Sequence, residues 1–220
     1  MKKSIFIVFL ILVSFSVVTA QTRLSFELFG GDVYNLPLPL IIRQNGYPAV
    51  RLKASYHTDA FAPPVYYDWR FCRWRNNKSW EFELVHHKLY LHNTTSEIQK
   101  FNISHGFNLL IVNRGFDIET FQYRAGAGIV LSHPESIVRG KEFGNTGDDF
   151  DLGYSVSGPV INLAISKSYR LSSRFSAVAE AKTTFAYSSV RVAQGRADVY
   201  SMAFHLVLGF GVDLIKPREE

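Results

Sequence analysis

Cysteine is nearly absent from this chain. Cys72 is alone among 220 residues, so no internal disulfide can form. No cysteine stands near residue 20, where a lipoprotein anchor would need one. Runs of one charge are missing as well. The formal net charge is +5, part of it in Lys2 and Lys3, and no Lys/Arg stretch exceeds two residues. That dispersal excludes the concentrated basic face of a nucleic-acid binder. Beyond residue 20 no apolar run approaches the ~18 residues of a membrane helix, and no segment sustains a 3.6-residue period. Any membrane passage must therefore be made by strands.

What is present is aromatic. Phe and Tyr number 18 and 11 against 2 Met, with 15 Gly and 8 Pro spread along the chain. Aromatic side chains fit a pleated surface and lose rotamer freedom in a helix, and the scattered breakers fit many short connections. Met1–Ala20 has a basic start at Lys2 and Lys3, an apolar run from Ile5 to Val13 and a small-residue ending at Val18-Thr19-Ala20. This is the pattern of a cleaved secretory signal, which leaves residues 21–214 as one domain and 215–220 as a tail.

The C-terminal segment carries the clearest period. From Tyr200 to Leu214 the even positions are Tyr, Met, Phe, Leu, Leu, Phe, Val and Leu, while the odd ones are small or polar apart from Val207. Alternation of this kind is a strand with one greasy face and one small face. It recurs with Phe101, Ile103, Phe107, Leu109 and Ile111, with Phe121, Tyr123 and Ile129, with Ile161, Leu163 and Ile165, with Phe175, Phe185 and Tyr187, and with Trp80 and Phe82 flanking Glu81. Ten strands are expected near 22–31, 37–44, 48–57, 64–75, 79–91, 99–113, 118–131, 153–167, 173–188 and 197–214. Pro37 and Pro39 weaken the second, and the count falls to eight if 22–44 is a plug, arm or edge ribbon. Connections alternate in length. Those at 76–79, 113–117 and 168–173 are short, as is 44–48 with its Asn45-Gly46 hairpin signal. Those at 58–64, 92–99, 132–152 and 189–196 are longer.

The leader, the alternating strands and the ending Leu206-Val207-Leu208-Gly209-Phe210-Gly211-Val212-Asp213-Leu214 resemble the small outer-membrane β-barrel proteins of Gram-negative bacteria. The resemblance implies a closed antiparallel up-and-down transmembrane barrel in the bacterial outer membrane, with short periplasmic turns and longer external loops. It implies outer-membrane lipid, lipopolysaccharide and the barrel-insertion machinery as partners, with no nucleic acid and no cofactor, and a monomer. In such a barrel the bulky face of each strand meets lipid, while glycines and paired charges look inward.

With eight to ten strands the interior is filled by side chains. Arg51, Lys53, Arg70, Glu81, Glu83, Arg124, Glu180, Lys182 and Asp213 are expected inside. Buried charges of both signs must pair, so a plugging salt-bridge network is expected, and with it a structural or surface-interaction role without catalysis. Two other readings stay open. A narrow solute or ion conduit would use the same charges. A lipid-modifying hydrolase, as in lipid A deacylase barrels, would need a Ser, a base and an orienting acid. Ser104 with His86 or His87, and Glu83 on the same strand as the histidines, are the candidates; the His-x-Ser-Asn arrangement of the deacylase barrels is absent. Asp148, Asp149 and Asp151 could offer oxygens to Ca²⁺, although their spacing departs from the EF-hand pattern. Sequons begin at Asn77, Asn93 and Asn102. They would matter in the rival architecture, a secreted eukaryotic β protein.

Overall fold

The computed structural model describes residues 22–144 and 154–215. The leader at 1–20, the acidic loop residues Asp148, Asp149 and Asp151, and the tail beyond Ile215 lie outside the described residues. Thirteen strands are described: β1 (Thr22–Asn35), β2 (Leu38–Gln44), β3 (Val50–Ala54), β4 (Tyr56–His57), β5 (Tyr67–Arg75), β6 (Lys78–Leu91), β7 (Ile98–Ile118), β8 (Phe121–Ser132), β9 (Glu135–Val138), β10 (Lys141–Phe143), β11 (Ser155–Arg170), β12 (Phe175–Val192) and β13 (Gly195–Ile215).

Eight of them close a ring in the order β1-β5-β6-β7-β8-β11-β12-β13, and β13 pairs back to β1. Every pairing is antiparallel. Closure leaves the ring without a sheet edge over its lower half. Of the two strand counts considered, eight is the one realised. β1 is a full ring strand, so 22–35 is neither plug nor arm. β2 and β3 instead form a hairpin above the ring, where β2 pairs residues 195–199 of β13. The Asn45-Gly46 turn is real, with Gly46 at φ +81°. It lies at the loop end of the barrel rather than at the tight-turn end, because β1 and β2 run on in one direction along β13. The 189–196 connection is also shorter than expected: β12 and β13 remain paired as far as Val192↔Gly195. β9 and β10 form a second hairpin, docked on β7.

The wall has two storeys. In the lower storey, nearer the termini, the outward face is apolar. Leu206, Leu208 and Phe210 are 69%, 69% and 70% exposed. Trp80, Phe82, Val112, Tyr123, Ile161, Leu163, Phe175 and Phe185 also point out. Arg114 lies over the Trp80 ring at 5.0 Å, and Lys167 lies 5.4–5.5 Å from Tyr169 and Phe121. Tyr187 and Tyr200 close the band at its other border. From Phe175 to Tyr187 a strand tilted by ~40° rises about 30 Å, the thickness of a hydrocarbon core.

In the upper storey the faces reverse. Phe101, Ile103, Phe107, Leu109 and Ile111 of β7 point inward and are buried, as are Leu40, Ile42, Val85, Leu89, Val138 and Val199. Outside, ion pairs such as Arg43–Asp198, Lys100–Glu135 and Arg139–Glu97 meet solvent. The expectation that every bulky face meets lipid therefore fails for β7. Its upper half stands beyond the apolar band, where water takes the outer face and the hydrophobic effect drives the rings inward. The reversal predicts two kinds of core response. Leu109→Ala should cost about 2–5 kcal/mol through the cavity it leaves. Leu208→Arg should cost about 2–4 kcal/mol when the barrel is folded in vesicles. Urea titration of unfolding in vesicles and in detergent measures both. Only the Leu208 effect should shrink in detergent.

Candidate functional site

The lower lumen is filled by charge. Inward positions of five ring strands supply Glu27 from β1, Asp68 and Arg70 from β5, Glu81 and Glu83 from β6, Arg124 from β8, and Glu180 and Lys182 from β12. All are buried. Arg70 is the hub. It donates to Glu27 and Glu180 at 2.7 Å each, and lies 3.4 Å from Glu83 and 3.5 Å from Glu81. Arg124 donates to Glu81 at 2.8 Å and reaches Glu180 at 3.2 Å. Lys182 is bonded to Asp68 and Glu83, and lies 2.9 Å from Glu180. Oxygens of Asp68, Glu83 and Glu180 come within 4.8 Å of one another, the spacing of a cation site, and the Lys182 ammonium fills it.

Three cations here face five carboxylates. Neutral donors take up part of the excess. Ser79 donates to Glu81 at 2.6 Å, Asn113 to Glu83 at 2.5 Å and Asn162 to Glu83 at 3.3 Å. Such hydrogen bonds stabilise a buried carboxylate that lacks a full countercharge.

Six of the nine charges expected inside meet in this cluster: Arg70, Glu81, Glu83, Arg124, Glu180 and Lys182. Asp213 is buried apart from it, at the tight-turn end, where Arg170 donates to it at 2.7 Å. Arg51 and Lys53 are exposed. They stand on β3, whose other face, with Val50 and Ala54, joins the upper core, so alternation turns both basic side chains to water. Glu27 and Asp68 belong to the cluster and were not foreseen. The signal existed in each case: Glu27 lies between Phe26 and Leu28, and Asp68 between Tyr67 and Trp69, as Glu81 lies between Trp80 and Phe82.

The hydrolase candidates are not brought together. A register shift between His87 and Leu89 places His86 opposite Asn108 and His87 opposite Phe107, away from Ser104. Gly106 allows the kink; its φ is +142°, and a Cβ there would meet the Asn108 side chain at 2.5 Å. His86 Nδ1 bonds Asn108 at 2.7 Å. His87 Nε2 meets Thr58 Oγ1 at 3.2 Å, and Glu83 belongs to the lumen cluster.

Ser104 finds a different partner. It donates to Glu135 Oε1 at 3.1 Å, and His105 Nδ1 lies 2.7 Å from the same oxygen. Neighbouring residues of an extended strand point to opposite faces, and this kink breaks that rule for Ser104 and His105. Serine and histidine nevertheless converge on one carboxylate oxygen, and Ser104 Oγ is 3.5 Å from the same Nδ1 that meets Glu135. That leaves no serine-to-imidazole relay of the kind that activates a nucleophile. Lys100 adds a 2.8 Å bond to Glu135. The result is an external polar knot between β7 and β9, with the His133 ring tilted against His105 at 5.0 Å between centroids. Burial pushes the Glu135 carboxyl up, but the Lys100 bond and charge, with Ser104 and His105, outweigh it and hold the group below its ordinary range.

Two outcomes follow from these contacts. Arg70→Ala would strand up to four carboxylates in the lumen and should cost about 3–5 kcal/mol in unfolding free energy, read from the urea midpoint. Because Glu135 has a lowered folded pKa, its contribution to stability is complete above the ordinary carboxylate pKa of ~4.3 and disappears as pH falls through the lowered value. The stability gap between the native chain and Glu135→Gln should thus be constant above about pH 5 and shrink in acid. A gap that does not change with pH would contradict this assignment.

No family model matches the chain, and no curated protein matches it. Solved structures with a similar layout are outer-membrane proteins. Ail, the attachment invasion locus protein of Yersinia pestis, is 8% identical, with 88% of this chain and 99% of that chain covered at a TM-score of 0.40. Neisserial surface protein A is 9% identical, with 88% and 97% covered at 0.41. The outer membrane protein AlkL, solved in lipid bilayers, is 11% identical, with 93% and 95% covered at 0.49.

Proposed function

We propose that this chain is a closed, non-catalytic barrel of the bacterial outer membrane that carries a folded external head for surface interaction. The observation that supports this reading most directly is the stacking of two sealed layers inside one ring. The Arg70-centred charges fill the lower lumen, with Arg70 and Glu83 at 0% exposure. The apolar cluster of Leu40, Leu89, Phe107 and Val199 fills the upper one, each at no more than 1%. An ion crossing this barrel would have to break the ion pairs and then enter an apolar core, and each step is costly. The lower outer band of Leu206, Leu208 and Phe210 fits lipid, while the polar outer faces of the β2–β3 and β9–β10 hairpins fit water and a partner.

Lipopolysaccharide is the natural surrounding lipid in this reading, and the protein acts as a monomer. Planar-bilayer recording on the purified barrel tests closure. The expected result is no unitary conductance at ±100 mV, with leak arising only when Arg70→Ala or Lys182→Ala loosens the lower layer. Steady channel openings in the unaltered chain would overturn the closed reading. Cell fractionation with heat-modifiable gel migration tests the location separately.

A further inference from the structure

Positive charge collects on the outer face of the β5–β6 hairpin. Exposed and buried residues alternate along both strands, which sets Arg73 and Arg75 of β5 and Lys78 of β6 outward beside Phe71, Trp80 and Phe82. The register puts Arg75 directly opposite Lys78, and Arg73 opposite Trp80. Trp80 in turn pairs with Arg114 of β7, whose guanidinium lies over the indole at 5.0 Å and over Phe116 at 5.9 Å. Arg73, Trp80 and Arg114 thus form one row across three strands. Among the described residues, no carboxylate forms an ion pair with any of these four cations. Elsewhere at this end of the barrel the chain does supply one: Arg170 donates to Asp213 at 2.7 Å, and Arg23 lies 3.9 Å from it. Like charges directly opposite one another weaken a strand pair, so Arg75 and Lys78 carry a cost that an anion from outside would remove.

The cations stand at the lower border of the apolar outer band. Long basic side chains at such a border lay their stems along apolar surface and hold their heads at the level of lipid phosphates. A second feature adjoins them. An open groove of about 320 Å³ on the outer wall is lined by Arg73 together with Leu24, Phe71, Trp80, Phe82 and Leu214. The cationic face and the apolar groove share Arg73. Side by side, they match a molecule with an anionic head and a hydrocarbon tail.

We infer that this face holds an anionic phospholipid, with its phosphate among Arg73, Arg75 and Lys78 and an acyl chain in the groove. Guanidinium groups suit a phosphate because each can donate two bonds to it at once, and Lys78 adds a compact charge. The lipid belongs to the periplasmic leaflet, because the β5–β6 connection lies at the tight-turn end of the barrel. That placement rests on the outer-membrane reading above. The site does not depend on lumen closure: a conducting barrel would leave it standing.

The chain carries its own reporters. Its three tryptophans, Trp69, Trp74 and Trp80, all lie on β5 and β6, so intrinsic fluorescence reads this stretch of wall. The barrel is folded into phosphatidylcholine vesicles that contain either brominated phosphatidylglycerol or brominated phosphatidylcholine. The brominated anionic lipid should reach half-quenching at a mole fraction at least about threefold lower than the brominated zwitterionic one. Sodium chloride at about 1 M should remove most of that difference. Replacing Arg73, Arg75 and Lys78 together by Gln should abolish it, whereas Arg73→Lys with Arg75→Lys should keep most of it. Equal quenching by the two lipids in the unaltered chain, or a preference that survives the triple Gln variant, would overturn the proposal. Heat-modifiable migration of each sample reports the barrel itself, so a closed barrel without lipid preference removes this site and leaves the barrel reading standing. Sedimentation of the detergent-solubilised barrel with peptidoglycan, lost in the triple variant, would assign the face to a glycan and overturn the lipid proposal as well.

Discussion

Arg70 is the contact on which the lower lumen depends. Its guanidinium meets Glu27, Glu81, Glu83 and Glu180 at once, and those residues come from three different ring strands, β1, β6 and β12. An eight-stranded ring is too narrow to hold water around so many charges, so each must be satisfied by another side chain. Guanidinium suits the position because its donors fan out in a plane and can serve several carboxylates together. Lysine could hold the local charge but could not span the same set of oxygens, and at Lys182 the single ammonium indeed covers a tighter group of three.

That constraint orders the rest of the wall. With lipid-facing apolar residues outside, the alternation of a strand sends every second residue inward. Inward residues of the lower storey must then be polar and mutually paired, or small. Glu180 and Lys182 alternate with Ala179, Ala181 and Thr183 on β12, and Gly126 and Gly128 flank the approach of β7 to β8. Above the band the solvent on the outer face changes and the same alternation is read in the opposite sense. β7 crosses this boundary in one unbroken strand: Asn113 faces Glu83 below, while Leu109 and Phe107 enter the apolar core above.

This explains what was legible in the sequence. Strand positions, the antiparallel ring and most lumen charges could be read because they rest on a period of two, which survives any register. The lipid-facing side could be read on β12 and β13, where charges on the one and glycines on the other mark the inner face. It could not be read on β7, whose bulky residues face inward for half its length, since pattern alone does not say which solvent lies outside. Arg51 and Lys53 were misplaced for the same reason: their alternation with Val50 and Leu52 is genuine, but it belongs to a hairpin above the lipid. The pairing of Ser104 with His86 failed on register, because the irregularity at His87 and Leu89 is set by Gly106 and by tertiary contacts that no local spacing encodes.

The two storeys also explain where function can reside. A lower layer locked by ion pairs and an upper layer locked by apolar packing leave little freedom inside, so contact chemistry moves to the outer surface and to breaks in the wall. The Glu135 knot is such a place: Lys100, Ser104 and His105 converge on its carboxylate, and the knot fastens the β9–β10 hairpin to the barrel. Inside, polar atoms without a protein partner occur in both storeys, at Asp68 Oδ1 and Asn162 Oδ1 below and at Asn35 Oδ1 and Tyr56 Oη above. The fold carries those costs because the ion pairs of one layer and the apolar packing of the other outweigh them.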